Sequence, residues 1–402
     1  TYKLYRFRHS HYSLIFNIFQ VMQYIDTMNA IMSLLSVQFT KEWIIALKTR
    51  AIALTLIVFI SLVTYSQRGA IALRFLPVAL EKVFSTNKVE QLGDGLHIGL
   101  CGAGGPMPSM TRSGSCVTVV AAGKLFIVDA GSNGIRILGR MGFDPGDIAG
   151  IFLTHFHSDH IDGLGEVATL RWVGGNHTSP LPVYGPEGVA DIVGGFNDAY
   201  RRDTVHRNDH HGDTVAQLSG AGMKAISFAQ PQPGLATVVY EQGGLKVEMI
   251  VSEHFPISPA VAYLFSYKGR TALISGDTAK SANIQAFAAG IDLLVHEALS
   301  NTLVSAMHDA ALAVGNLPRA MIFDDIHDYH TSPKEAAEIA RDADVGHLLY
   351  YHVVPPLDVL GLEAVWLDGV DDIFQKYTLG QDGTSFSLPP NSREIIKTKS
   401  KL

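Results

Sequence analysis

Cysteine is scarce. Two residues in 402 exclude a disulfide-built scaffold and any zinc site made of thiolates alone, leaving room for one bridge. Charge is sparse as well, at 17%, and no segment gathers basic residues into a patch that would grip a nucleic-acid backbone. The 47% of apolar residues excludes a wholly disordered chain and supplies a core. The length exceeds one ordinary domain, so one large domain with an appendage is expected. Histidine is the abundant residue, 17 in all, and it directs the search towards metal ligands.

The net charge of −7 hides an asymmetry. Residues 1–89 carry 10 Lys/Arg and 3 Asp/Glu, a balance of +7. The remainder carries 21 basic and 35 acidic residues, a balance of −14, a poor electrostatic host for a polynucleotide.

Residues 1–50 form an N-terminal segment of open start, with Met22, Met28 and Met32 as alternatives to Thr1. The uncharged run 51–66, AIALTLIVFISLVTYS, reads as a signal anchor or transmembrane helix. Sixteen residues span roughly 24 Å, short against a hydrocarbon core of about 30 Å. No small-x-small cleavage site comes after it, because Tyr65, Gln67 and Arg68 occupy the stretch. Lys41, Lys48 and Arg50 ahead of the run hold the N-terminus in the cytoplasm and export the chain beyond the run, to periplasm or exterior. If the run is instead a buried core helix, the protein is cytoplasmic. Residues 67–91 read as a juxtamembrane linker, of which 69–84 can form an amphipathic helix.

From residue 92 to 390 short β-type runs alternate with helical patterns. LHIGLC, CVTVVAA, KLFIVDAG, IAGIFLT, TVVYE, KVEMIVSE, AVAYLFSY, TALISGD, DLLVHE and HLLYYH read as strands. Helices are expected at 280–289, 302–314 and 333–343, the last with Ser332 as N-cap and Pro333 in its first turn. The mixture implies a layered α/β domain. Residues 201–216, polar and His-rich, read as an exposed insertion, and 391–402 as a tail.

The decisive segment is Thr154-His155-Phe156-His157-Ser158-Asp159-His160, directly after an apolar strand. Leaving a strand end, His155 and His157 can share one metal while Asp159 and His160 face a second. Two metals need further ligands from distant strand ends, including a bridging one. His254, Asp277 and His352 each come after a β-like run and answer that need.

This arrangement resembles the metallo-β-lactamase superfamily and, within it, the RNase Z-like branch, over about residues 92–390. The resemblance implies an αββα sandwich and two zinc ions per chain, with manganese or iron as alternatives. By it, His155, His157 and His254 hold one ion and Asp159, His160 and His352 the other, with Asp277 and a hydroxide bridging. Asp129 in FIVDAG matches the buried aspartate that braces the metal loop. His296-Glu297 and Tyr329-His330-Thr331-Ser332 match the branch's Glu/His pair near the scissile phosphate. Glu297 then orients His330, which protonates the leaving oxygen or binds the phosphoryl group. Asp159 accepts the proton of a water whose pKa two metals bring towards about 7.

The implied activity is phosphodiester hydrolysis, on RNA or a small phosphodiester, by a homodimer. Pro106–Ser113 matches the family's P-x-K-x-R-N loop at Pro108 and Arg112 but carries Met110 and Ser113 for the Lys and Asn. Arg112 is a candidate for an anionic substrate group, or an exposed loop arginine. RNase Z proteins that mature transfer RNA carry a basic Gly/Pro-rich arm, and no comparable arm is evident here. Exported arylsulfatases share the branch, so a sulfate ester is the alternative substrate. A non-catalytic metal-binding scaffold is the rival of another class, disfavoured by the Glu297/His330 pair. Cys101 and Cys116 either form a disulfide or stay as two buried thiols. His206, His210 and His211 read as a solvated loop rather than a second metal site.

Overall fold

The computed structural model describes residues 20, 22–28, 30–31, 41–400 and 402. Much of the segment 1–50, including Met32, lies outside the described residues. Those described divide into two units between Thr86 and Asn87.

In the first unit, α1 (Lys41–Phe84) is one continuous helix of 44 residues, with Pro77 inside it. It is long and apolar enough to cross a membrane. The helix takes in most of the stretch expected as linker, because residues 67–84 offer good helix formers and only one proline.

The second unit begins with α2 (Lys88–Gln91), β1 (Leu96–Gly102), β2 (Cys116–Ala121), β3 (Lys124–Val128), α3 (Gly134–Arg140) and β4 (Ile148–Phe152). It continues with α4 (Ser158–Ile161), α5 (Leu164–Gly174), β5 (Leu181–Pro186), α6 (Val189–His211) and β6 (Met223–Phe228). Next come β7 (Thr237–Gln242), β8 (Leu245–Val251), β9 (Val261–Tyr267), β10 (Arg270–Ile274), α7 (Ala282–Phe287) and β11 (Leu293–Leu299). The last elements are α8 (Asn301–Ala313), α9 (Leu317–Asp325), α10 (Pro333–Asp342), β12 (His347–Val354), α11 (Leu362–Trp366), β13 (Tyr377–Leu379), β14 (Thr384–Leu388) and β15 (Ile396–Lys399).

Two sheets result, in the orders β15-β14-β1-β2-β3-β4-β5-β6 and β13-β12-β11-β10-β9-β8-β7. The facing surfaces bury one core, in which Phe126, Phe152 and Val117 of the first sheet join Tyr263, Phe265 and Val295 of the second. A second core seals the outer face of the first sheet under α3, α5 and α6, through Ile135, Leu138, Leu164 and Val193. A third seals the second sheet under α7 and α10, through Ile284, Ala336 and Ile339. The order is therefore helix, sheet, sheet, helix, the expected αββα sandwich. Strands covered on both faces read as continuous apolar runs, and β11, LLVHEAL, is buried throughout.

Three boundaries differ from expectation. Residues 201–211 belong to α6, since no proline interrupts the run after Val189 and Gly212, at φ 70°, ends the helix. They are largely solvated, as expected, but helical. The tail is not a tail: Ile396–Lys399 pairs antiparallel with β14. Strands β5 and β6 extend the first sheet beyond the runs recognised in the sequence.

Cys101 and Cys116 are joined in a disulfide, which settles the open pairing. It closes a loop with a sequence separation of 15 between β1 and β2. Replacing both cysteines with alanine is expected to cost about 3 kcal/mol of stability, read as a lowered denaturant midpoint.

Candidate metal centre

The polar residues singled out in the sequence converge because their strands run parallel. β3 pairs parallel with β4, β10 with β11 and β11 with β12, so within each sheet their C-terminal ends share one edge. Asp129 comes directly after β3, Thr154–His160 after β4, His254 after β8, and Asp277 after β10. His352 lies within β12 at a register shift opposite Glu297/Ala298. As the extra residue of that bulge it takes φ 44°, which turns its side chain out of the ladder.

Three overlapping groups place ligand atoms within 4.8 Å of one another: His155, His157, His254 and Asp277; Asp159, His160 and His352; Asp277, His330 and His352. Asp277 links them. Its Oδ1 lies 3.3 Å from His160 Nε2, and its Oδ2 3.4 Å from His352 Nε2 and 3.7 Å from His155 Nε2. Asp159 Oδ2 stands 3.1 Å from His352 Nε2. The nitrogens His155 Nε2 and His157 Nδ1 are 3.1 Å apart.

Supporting bonds fix which nitrogen of each ring faces inward. His160 Nδ1–H donates to Asp129 Oδ2 at 2.7 Å, and His254 Nδ1–H donates to the Tyr329 carbonyl at 2.9 Å. Their Nε2 atoms, and Asp277 Oδ1, are buried without a hydrogen-bond partner among the described residues. Buried polar atoms are seldom left unpaired, and carbonyl- or carboxylate-held imidazoles are the usual metal ligands. The donor set, imidazole nitrogens and carboxylates with no thiolate, suits zinc, iron or manganese. The clusters are thus compatible with metal binding.

The local electrostatics agree. Burial pushes the pKa values of His155, His157 and His254 down, so these rings are neutral and able to ligate. Burial works against charging His160 and His352 too, but Asp277 and Asp159 override it and raise both. Carboxylates that favour a proton there favour a metal cation equally. Burial likewise opposes the Asp277 carboxylate, yet the imidazoles of His352, His160 and His155 hold its pKa well below the usual range.

Asp129 braces the loop. The Thr154 amide donates to Oδ1 and the Thr154 hydroxyl to Oδ2, both at 2.8 Å. The Tyr263 hydroxyl donates to the Leu153 carbonyl at 2.7 Å and pins the loop's entry. Asp129→Asn is expected to weaken metal binding about 10- to 100-fold, measured by competition with a chromogenic chelator.

Beside the cluster, Glu297 Oε1 accepts from His330 Nδ1–H at 3.0 Å, from the Thr331 amide at 3.1 Å and from the Thr278 amide at 3.2 Å. Burial disfavours charge on His330, but Glu297, Asp277 and Asp159 outweigh it and raise its pKa to about 9. At neutral pH the ring is an imidazolium held against the ligand group.

Arg112 does not join this assembly. Its side chain is buried, with Nε donating to the Gly380 carbonyl at 2.9 Å and a terminal nitrogen 3.3 Å from Glu363. Its loop is tied to the fold instead: Ser113 donates to Asp382 and the Met110 amide to Asp358. The expected contact with an anionic substrate group gives way to this internal role. Conversely, Thr154, Thr278 and Thr331 carry no site role in the sequence reading. A threonine's bracing role shows only once its partner is placed.

The family model described as Beta-lactamase superfamily domain matches residues 126–353, which spans every residue of the cluster. The chain belongs to this superfamily. Ribonuclease Z of Mycobacterium avium (strain 104) is 32% identical over 273 residues, covering 67% of this chain and 90% of that protein. Ribonuclease Z of Mycobacterium marinum is 31% identical over the same length and share. Human tRNase Z, short form, has the same fold, with a TM-score of 0.53 at 19% identity over 73% of this chain and 99% of that one. The metallo-beta-lactamase fold protein YhfI of Bacillus subtilis gives 0.52 at 18% over 73% and 100%. The chain is an RNase Z-like hydrolase of the superfamily.

Proposed function

We propose that this protein is a metal-dependent hydrolase of phosphodiesters that works with two divalent ions, zinc before manganese or iron. The observation that carries the reading is the convergence of unpartnered His160 Nε2, His254 Nε2 and Asp277 Oδ1 beside the Glu297–His330 pair. His155, His157 and His254 would hold one ion, Asp159, His160 and His352 the other, with Asp277 shared. Ions bound there supply Lewis acidity towards a phosphoryl oxygen and an activated water near neutral pH. Asp159 would take the proton of the attacking water. His330 donates its Nε2 proton to the leaving oxygen, and Glu297 keeps the ring charged and aimed.

RNA is the substrate carried by the relatives' name, and a small phosphodiester asks the same chemistry. The balance of −14 beyond residue 89 favours the smaller one. The apolar helix α1, its flanking basic residues and the Cys101–Cys116 bridge support an anchored protein with its hydrolase unit in an oxidising compartment. The test compares bis(p-nitrophenyl) phosphate with p-nitrophenyl sulfate, using the zinc-loaded full chain in detergent and His254→Ala as blank. Faster phosphodiester hydrolysis is expected. Preference for the sulfate transfers the protein to the sulfate-ester alternative.

A further inference from the structure

A cavity of about 900 Å³ opens between α8, α9 and the two loops beside the metal centre. Pockets of roughly 300–1,000 Å³ are the usual size for small ligands. Its walls are mostly apolar, with Asn316 and Arg319 as the polar members. From α8 come Leu303, Ala306, Met307 and Ala310, a stripe at helical spacing that Val314, just beyond the helix, continues. From α9 come Ile322 and Phe323. Such a stripe is ordinarily covered by protein, yet here Ala306, Ala310, Val314 and Ile322 are exposed.

The remaining walls are attached to the metal centre itself. Pro355 and Pro356 lie three and four residues after His352. Met107 and Pro108 come just after Gly105, where an added Cβ would stand 2.9 Å from the His352 ring. The Leu299 amide, at the approach to α8, donates to the Thr331 carbonyl next to His330 at 2.8 Å. The Ser300 amide donates to the Val354 carbonyl at 2.9 Å, and Asn301 Oδ1 lies 2.9 Å from His327 Nδ1. The cavity and the metal cluster therefore share their supports, on either side of His352 and His330.

We infer that the cavity is a subsite for a hydrocarbon chain of the substrate. An amphiphilic phosphodiester would place its phosphate at the metal cluster and its chain between α8 and α9. This rests on the proposed phosphodiester chemistry but reads a different surface. It accounts for an apolar stripe left exposed among the described residues and suits the balance of −14 beyond residue 89.

The test uses the zinc-loaded full chain in detergent and the series methyl-, ethyl-, propyl- and butylphosphonate, measured by calorimetry. Binding is thereby read whether or not the protein turns over a diester. The dissociation constant is expected to fall about fourfold for each added methylene, the factor for burying one CH₂. Ala310→Trp and Ala306→Trp, at exposed positions that tolerate bulk, are expected to flatten that dependence by filling the cavity. Both variants share the wild type's detergent, so partition into micelles cancels in the comparison.

A flat series in the wild type overturns the inference, as does a slope unchanged in both variants. A chain-length slope with no hydrolysis of bis(p-nitrophenyl) phosphate supports the subsite and contradicts the hydrolase reading alone. A flat slope with normal hydrolysis does the reverse.

Discussion

Asp277→Ala is expected to remove bound metal and phosphodiester turnover together. The carboxylate stands among three imidazoles, with oxygens 3.3 Å from His160 Nε2, 3.4 Å from His352 Nε2 and 3.7 Å from His155 Nε2. It belongs to the group with His155, His157 and His254 and to the group with His330 and His352, and it also stands beside His160. Without it, the rings lose the carboxylate that stands between them and keep only Asp159 at His352 and Asp129 at the outer nitrogen of His160. Lewis-acid stabilisation is worth several kcal/mol, and each 1.36 kcal/mol is a decade in rate, so the loss is about 10³-fold or more. Plasma emission spectrometry of the purified variant and initial rates on bis(p-nitrophenyl) phosphate check both halves. Retained metal with a rate within tenfold of wild type would contradict the shared-ligand role.

His330→Ala is expected to keep the metal and still lose about 10²- to 10⁴-fold in kcat, the usual worth of a positioned general acid. His330 Nδ1 is held by Glu297, which also receives two amides and cannot swing away, so the ring presents its Nε2 to the site. A proton donor matters most when the leaving oxygen is basic. The deficit should therefore grow from p-nitrophenolate to alkoxide leaving groups, a trend that a purely structural role would not produce. Glu297→Gln should show the same trend, since it removes the charge that holds the ring's proton.

The centre is legible in the sequence because its chemistry sits where apolar runs stop. THFHSDH, SEHF and SGDT each follow a strand that its apolar run makes plain, YYH lies within another, and parallel pairing does the rest. Asp129 is legible for the same reason. The edges of the fold are not. β13 has three residues and β15, IKTK, is exposed throughout, so neither carries the apolar signal by which strands are recognised. The solvated half of α6 lacks an apolar face, and its helicity shows only in the absence of breakers before Gly212. Arg112 misleads because a loop position fixes a residue's neighbourhood but not its partner. Its guanidinium finds Gly380 and Glu363, far along the chain. The apolar cavity is invisible in the sequence because Leu303, Met307 and Val314 at helical spacing read as ordinary core, and only the packing shows that face uncovered.

The most direct measurement is a zinc titration of the chelator-stripped full chain while hydrolysis of bis(p-nitrophenyl) phosphate is monitored. Activity is expected to be absent at the start, to rise with added zinc and to saturate at two ions per chain. Turnover that survives stripping, or none at any zinc loading, would contradict a metal-dependent phosphodiesterase.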